Sequence, residues 1–290
     1  MEKETEFFIT RHSEKPKSGE SSAEGYPGIS EAGVELARER VADIIHLIED
    51  SPQGTIIPLL GVSPMERTRS TMKVYTEGLK DGLRDKKDIV IIPREEIENL
   101  YKEERGIHKT IEVIRKRVAE NPTARVVIEF PLMIKEFSDP RWFHPEDKDK
   151  PQDERRLSPY IDHLGGVKRF REQRDQAIKQ WFDEKGIIDN KQLGPNPQEI
   201  AEEHLRALRR LESFTRKIFP DKPLQIVVVG HSLEMDSFFT FLANEGQIMS
   251  EGFKKIGEQE FKETEPAQIK LNKDGTIELN YRGNNFTYNP

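Results

Sequence analysis

Two hydrophobic patterns alternate along this chain. Short runs of apolar, β-branched or aromatic residues are typical of buried strands. They occur at 7–9, 55–62, 88–93, 124–130, 225–230, 267–271 and 276–281. Apolar residues at helical spacing occupy stretches between them, at 30–48, 110–120, 166–185, 197–219 and 233–244. Strands that alternate with helices predict an α/β fold, which 290 residues can build as a single large domain.

The alternation fails in one long segment. Residues 131–164 hold five prolines, Trp142, Phe143 and many charges. A loop of this length in a compact domain is usually functional or disordered. We therefore predict that 131–197 is an insertion within the domain, irregular over 131–165, that caps a binding pocket.

Two short signals refine the predicted sheet. Pro58 lies inside the run at 55–62 and cannot donate to a neighbouring strand, which predicts an edge or irregular strand. Asp274-Gly275 separates the last two runs, a pair that is typical of a β-hairpin turn.

Two of the predicted strands end in histidine. Arg11-His12 follows the apolar run at 7–9, and Gly230-His231 ends the run at 225–230. In open α/β sheets ligands bind beyond the carboxyl ends of the strands, so strands of one sheet could bring the two imidazoles together there. An arginine fork fits phosphate oxygens, and a neutral imidazole offers a nucleophilic nitrogen.

A third strand end adds another cation. The run at 55–62 leads into Ser63-Pro64, where Ser63 can cap a helix whose first turn holds Pro64. Arg67 then lies about one turn into the helix. An arginine near a helix N-terminus can clamp phosphate, because the backbone amides and the guanidinium point the same way.

Composition narrows the functional classes. The formal net charge is −7 and the pI about 5.7, which argues against a general nucleic-acid binder. The absence of cysteine excludes disulfides, thiolate nucleophiles and Cys-ligated zinc. The N-terminal residues lack the apolar region of a signal peptide, and no apolar run reaches the length of a membrane span. We expect a cytoplasmic protein without a membrane partner.

Three motifs in a fixed order resemble those of the histidine phosphatase superfamily, the proteins with a phosphoglycerate mutase-like fold. The motifs are Arg11-His12-Ser13, Ser63 with Arg67-Thr68 and Thr71, and Gly230-His231-Ser232, each after a predicted strand. Each is short, and their order is the specific part of the signal. The resemblance covers about 1–100 and 200–282. It implies a three-layer sandwich with a mostly parallel central sheet and helices on both faces.

The resemblance also implies roles for particular residues. His12 accepts the phosphoryl group, while Arg11, Arg67 and His231 bind its oxygens. It implies no metal and no cofactor, and the substrate is a phosphorylated small molecule or a phosphoprotein. Four smaller side chains are expected to bind substrate: Ser13, Ser63, Thr68 and Ser232. Ser13 stands where the family usually has glycine.

The general acid stays open at the level of sequence. The family often uses a glutamate soon after the third strand, which favours Glu98 and then Glu96. Another branch uses an aspartate directly after the second histidine, where this chain has Ser232. Glu234 and Asp236 are further candidates.

Three other functions are weighed against a metal-independent phosphatase. A non-catalytic protein of the same fold could bind a phosphorylated ligand or a protein, since Ser13 and the unassigned acid depart from the family pattern. A phosphoglycerate mutase is less favoured, because Ser13-Glu14-Lys15-Pro16 lacks the pattern typical of mutases. A metallohydrolase would use His12 and His231 with carboxylates, but no closely spaced His/Asp motif supports it.

Overall fold

An eight-stranded mixed sheet forms the centre of the protein. The computed structural model describes residues 4–104, 106–132, 134–137, 139–147, 149–150 and 155–290. The strands of the sheet are Thr5–Arg11 (β1), Ile56–Gly61 (β2), Ile89–Ile92 (β3), Arg125–Glu129 (β4), Leu224–Gly230 (β7), Pro266–Leu271 (β8), Ile277–Tyr281 (β9) and Asn284–Tyr288 (β10). Two further strands, Ile187–Ile188 (β5) and Lys191–Gln192 (β6), form a separate small hairpin.

Helices connect these strands. The α-helices are Glu31–Asp50 (α1), Glu66–Gly82 (α2), Arg94–Glu104 (α3), Ile107–Glu120 (α4), Pro159–His163 (α5), Gly166–Glu172 (α6), Arg174–Glu184 (α7), Pro197–Ile218 (α8), Ser232–Ala243 (α9) and Ser250–Lys255 (α10). Single 3₁₀ turns lie at Lys135–Phe137, Pro140–Trp142 and Pro145–Asp147.

The strand order is β10-β9-β8-β1-β7-β2-β4-β3. The five strands from β1 to β3 in that order run parallel, and β8, β9 and β10 continue the sheet antiparallel. Side chains alternate across the strands. Phe7 and Ile9 pack with helices α8 and α9 on one face, whereas Phe8 packs with α1 and α2 on the other. This architecture confirms the predicted α/β sandwich.

Pro58 predicted an edge strand or an irregular one. The edge alternative is wrong, because β2 lies between β7 and β4, but the strand is irregular. Its pairing with β4 is continuous, but its register with β7 omits Ile57 and Pro58 and resumes at Leu59. A proline is therefore accommodated inside the sheet where the ladder on one side is interrupted.

Other elements differ from the expectations at their boundaries. The helix predicted at 166–185 is broken at Gln173 into α6 and α7. The sequence pattern does not predict helix α3, because this stretch is highly charged and only Ile97 and Leu100 are buried in it. The hairpin at Asp274-Gly275 is confirmed, and Gly275 takes a positive φ of 90° there. A third antiparallel strand, β10, was not predicted.

The register of β1 and β7 positions the candidate chemistry. Arg11, the last residue of β1, lies opposite Gly230, the last residue of β7. His12, the residue after β1, continues the hydrogen-bond ladder, because its amide donates to the Gly230 carbonyl at 3.0 Å. The parallel pairing therefore places His12 and His231 side by side at the carboxyl edge of the sheet, as the sequence predicted.

Candidate active site

His12 is held in one tautomer by the backbone of the next residue. Its Nδ1 lies 2.7 Å from the Ser13 carbonyl oxygen, which can only accept a hydrogen bond. Nδ1 therefore carries the proton, and Nε2 keeps its lone pair. The Ser13 amide donates in turn to the Thr71 hydroxyl at 2.9 Å, and the Ser13 hydroxyl donates to the Gly33 carbonyl. Ser13 thus fixes the turn that orients the His12 ring.

His231 has the opposite tautomer. The two rings meet edge to face with centroids 5.2 Å apart. An Arg67 guanidinium nitrogen lies 3.4 Å from His231 Nδ1, and because a guanidinium only donates, this ring nitrogen accepts. A neutral His231 therefore carries its proton on Nε2.

Burial and nearby cations keep both histidines uncharged. The pKa of His12 is lowered well below 6.5, first by burial and then by Arg67, His231 and Arg11. The pKa of His231 is lowered by burial, and next by Arg67 and Arg11. Burial also lowers the pKa of Arg67, to about 10, which leaves this guanidinium charged at neutral pH. The site thus combines a neutral nucleophilic nitrogen with positive charge.

Two more arginines complete the cationic surface. Arg11 pairs with Glu263 at 2.7 Å and with Glu260 at 3.3 Å, and it also donates to the Phe261 carbonyl. Arg174 pairs with Glu260 at 2.5 Å and donates to the Ser232 hydroxyl at 2.8 Å. Glu260 therefore offsets the repulsion between two guanidiniums and holds both beside the histidines.

These side chains line a single cavity of about 180 Å³. Several residues of its lining carry a buried donor that has no hydrogen-bond partner among the described residues: Nε of Arg11, Arg67 and Arg174, Nε1 of Trp142 and Nε2 of His231. Of these, Nε of Arg174 has an ion-pair contact with Glu260. Buried polar groups are nearly always hydrogen-bonded, so such a cluster calls for a specific explanation. A small cavity lined by several arginine and histidine donors suits a tetrahedral oxyanion.

The smaller side chains predicted to bind substrate have different positions. Ser232 lines the cavity. The Ser63 hydroxyl accepts from the Met65 amide, and the Thr68 hydroxyl donates to the Met65 carbonyl, both in the turn that opens α2. Ser63 is therefore not the N-cap residue, since α2 begins only at Glu66. Neither Ser63 nor Thr68 lines the cavity, so their contacts shape the turn that presents Arg67.

The two carboxylates favoured as the general acid lie elsewhere. Glu98 forms an ion pair with Arg94 at 2.7 Å and lines a different, apolar cavity, and Glu96 pairs with Arg117. Both lie on the charged helix α3, which packs at the β3 edge of the sheet rather than over the histidines. The prediction of Glu98 is therefore corrected by its position.

Of the two further candidates, only Glu234 lines the cavity. Asp236 is fully buried one half-turn later and accepts from the Phe261 amide at 2.7 Å. Its pKa is raised well above the ordinary value by burial. Asp236 therefore fixes the segment that contacts Arg11, whereas Glu234 faces the site itself.

Arg174 was not identified from the sequence, although a signal was present. The helical pattern at 166–185 predicts Phe170, Ala177 and Trp181 as core residues. Arg174 is four residues after Phe170 and three before Ala177, so it occupies the same face. An arginine on an apolar helix face needs an anionic partner, and here it has Glu260.

The described residues show neither a candidate metal centre nor a candidate membrane span. Among them, no group of three or more His, Cys, Asp or Glu side chains is arranged to hold a metal ion. In the same part of the chain, no helix combines the length and apolar character needed to cross a bilayer.

Comparison with known proteins gives matches among solved structures only. No family model matches the sequence, and no curated protein matches it. Similar structures include a phosphoglycerate mutase from Bacillus anthracis, at 10% identity over 98% of this chain and 94% of that chain, with a TM-score of 0.45. An alpha-ribazole phosphatase from Shigella flexneri shares 11% identity over 92% and 91%, with a TM-score of 0.40. A mycobacterial glucosyl-3-phosphoglycerate phosphatase shares 11% over 91% and 89%, with a TM-score of 0.39.

At such identities and TM-scores the likeness supports no statement about the reaction. The geometry of the cavity carries the functional argument.

Proposed function

We propose that this protein hydrolyses phosphomonoesters without a metal ion, through a phosphohistidine formed on His12. One observation carries the proposal. A neutral histidine with a free Nε2 lies in a cavity where three buried donors of Arg11, Arg67 and His231 have no partner among the described residues. Nucleophile and oxyanion donors therefore surround the same small volume.

The first step transfers the phosphoryl group to the protein. The lone pair of His12 Nε2 attacks phosphorus, the ester P–O bond breaks, and its electrons leave with the alcohol oxygen. The Nδ1–H bond to the Ser13 carbonyl stabilises the positive ring that results. Arg11, Arg67 and His231 stabilise the charge on the phosphoryl oxygens, which is where phosphoryl transfer needs help.

The second step regenerates the histidine. A water molecule attacks phosphorus and passes its proton to a base in the site or to solvent, and the P–N bond breaks with its electron pair returning to Nε2. Inorganic phosphate is released. Because the guanidiniums supply positive charge throughout, the residues provide the electrostatic role that metal ions have in other phosphoryl-transfer enzymes.

The cavity wall indicates a class of substrate. Besides the charged residues, the cavity has an apolar lining that comes from the segment predicted to be a cap. Its apolar members are Trp142, Phe143, Leu157, Ile161 and Phe170. Since the whole cavity measures only about 180 Å³, we infer a compact substrate whose leaving group is aromatic or otherwise apolar.

The test is hydrolysis of p-nitrophenyl phosphate in excess chelator, with wild type beside His12→Ala. We expect chelator-insensitive turnover by the wild type and none above background by the variant. Loss of wild-type activity in chelator would instead support a metallohydrolase. Phosphate binding by an inactive wild type would support a non-catalytic binder.

A further inference from the structure

Three carboxyl groups line the cavity among the described residues, and two of them are committed to arginines. Asp139 accepts from the Arg141 guanidinium through both carboxylate oxygens, at 3.0 Å to Oδ1 and 2.6 Å to Oδ2. Glu263 pairs with Arg11 at 2.7 Å. Both carboxylates thus already have a guanidinium as their partner.

Glu234 is the third carboxyl and has a different environment. No arginine or lysine forms an ion pair or a hydrogen bond with it among the described residues. Among the described residues, its carboxyl group accepts one hydrogen bond from another residue, the Asp139 amide, which lies 3.4 Å from Oε1. Helix α9 begins two residues earlier and is buried on every side, so Glu234 is only 5% exposed. The helix thus holds a carboxyl group inside the protein without a cation to neutralise it.

Several groups around Glu234 influence its charge. Burial disfavours the anion, and the negative charge of Asp139 adds to that effect. Arg67 and the Asp139 amide favour the anion, as does the start of α9, and Arg174 and the neutral His231 lie on the same cavity. The effects that disfavour the anion prevail, and the pKa of Glu234 rises to about 7.

We propose that Glu234 is the proton donor to the leaving group. This rests on the proposed function and adds the residue that the sequence left open. In the first step the Glu234 carboxyl gives its proton to the departing ester oxygen, which leaves as an alcohol. In the second step the Glu234 carboxylate takes a proton from the attacking water and returns to its acid form. The proton is balanced over the cycle.

The proposal predicts a dependence on the leaving group. An alkoxide leaves very slowly without a proton, whereas p-nitrophenolate leaves readily as an anion. Removal of the acid should therefore affect alkyl phosphates strongly in the first step and p-nitrophenyl phosphate weakly. General acid catalysis is typically worth 10²–10⁴-fold, which sets the size of the difference.

The experiment compares Glu234→Gln with wild type on p-nitrophenyl phosphate and on a small alkyl phosphate, by stopped flow and in the steady state. We expect the alkyl phosphate kcat/KM to fall by about 10²-fold or more. With p-nitrophenyl phosphate we expect the first turnover to keep its rate within about tenfold. A burst of nitrophenol near one per site should follow, because the second step lacks its base. Glu234→Asp should recover part of the alkyl phosphate activity.

The wild type provides a test that needs no variant. Its kcat/KM for the alkyl phosphate should fall as pH rises through about 7, since the acid form of Glu234 is lost there. Glu234→Gln should lack this alkaline limb. Glu98→Gln tests the other candidate acid. It should leave kcat/KM for the alkyl phosphate unchanged and keep the alkaline limb.

Different results separate this inference from the proposed function. Two results for Glu234→Gln would overturn the assignment of Glu234 while the phosphohistidine route stands. One is an equal loss of first-step rate on both substrates, and the other is an unchanged kcat/KM for the alkyl phosphate. Full activity in His12→Ala would instead remove the route itself.

Discussion

His12 and His231 differ in the ring nitrogen that carries the proton, although both rings are buried and neutral. The Ser13 carbonyl fixes the proton of His12 on Nδ1, so that its Nε2 keeps the lone pair that a nucleophile needs. The Arg67 guanidinium fixes the proton of His231 on Nε2, so that this nitrogen is a donor. The sequence predicted the two histidines, but the tautomers depend on contacts between residues far apart in the chain.

Arg67 has two functions that a lysine cannot combine, and this leads to a prediction. Arg67→Lys keeps the charge but loses the planar fork that contacts His231 and leaves Nε for an oxyanion. We expect kcat/KM for p-nitrophenyl phosphate to fall by about 10²–10³-fold, comparable with loss of one oxyanion-hole donor.

Steady-state kinetics with Arg69→Lys as the matched control checks this expectation. Arg69 lies on the same helix, outside the cavity, where it contacts the Pro64 carbonyl. Equal activity of Arg67→Lys and Arg69→Lys would show that Arg67 contributes only its charge.

The lowered pKa of His12 gives a pH prediction. Burial and neighbouring cations oppose protonation, so His12 stays neutral and nucleophilic as pH falls through 6.5. The acid limb of kcat/KM should therefore lie below pH 6.5, once the separately measured ionisation of the substrate is taken into account. An acid limb above pH 6.5 would mean that the protein does not hold His12 in its neutral form.

At the scale of elements, the sequence predicted most of what surrounds the site. Apolar runs located β1, β2, β4 and β7, and helical spacing located α1, α8 and α9, because burial on a strand or a helix face leaves a regular pattern. Helix α3 has only two buried residues and so left no such pattern. Pro58 left an edge strand and an irregular strand open, because the interrupted register between β2 and β7 is a tertiary feature.

Helix α1 supports the turn at His12 through Gly33, which leads to a prediction about stability. Ser30 caps this helix by accepting from the Gly33 amide at 3.0 Å. A Cβ at Gly33 would press into the backbone carbonyl of Glu14, two residues after His12. Gly33→Ala should therefore destabilise the fold by about 1–3 kcal/mol, the usual cost of overpacking, and lower kcat by displacing the turn at His12.

Urea unfolding and kinetics with Gly82→Ala as the control would check the role of Gly33. A Cβ at Gly82, in α2, meets only the Ile45 side chain, which can move. If Gly33→Ala and Gly82→Ala have the same free energy of unfolding and the same kcat, the close backbone approach at Gly33 does not position His12.

At the scale of the whole molecule, the site is assembled from segments that are distant in sequence. The ends of β1 and β7 supply the histidines, α2 supplies Arg67, α7 supplies Arg174, and the loop before β8 supplies Glu260 and Glu263. The motifs located the first two groups. Helical spacing puts Arg174 on an apolar face, and Glu234 was one of four candidate acids, but that both line this cavity depends on how the segment at 131–197 and the buried helix α9 pack over the sheet.

The central claim is that His12 Nε2 becomes covalently phosphorylated, and trapping this intermediate is its most direct test. The protein is mixed with p-nitrophenyl phosphate, quenched in alkali within milliseconds, digested and analysed by mass spectrometry. We predict one phosphoryl group on the peptide that contains His12, stable in alkali and lost in acid, and absent from His12→Ala. Rapid turnover without any phosphorylated His12 peptide, or with phosphate on another residue, would contradict the account.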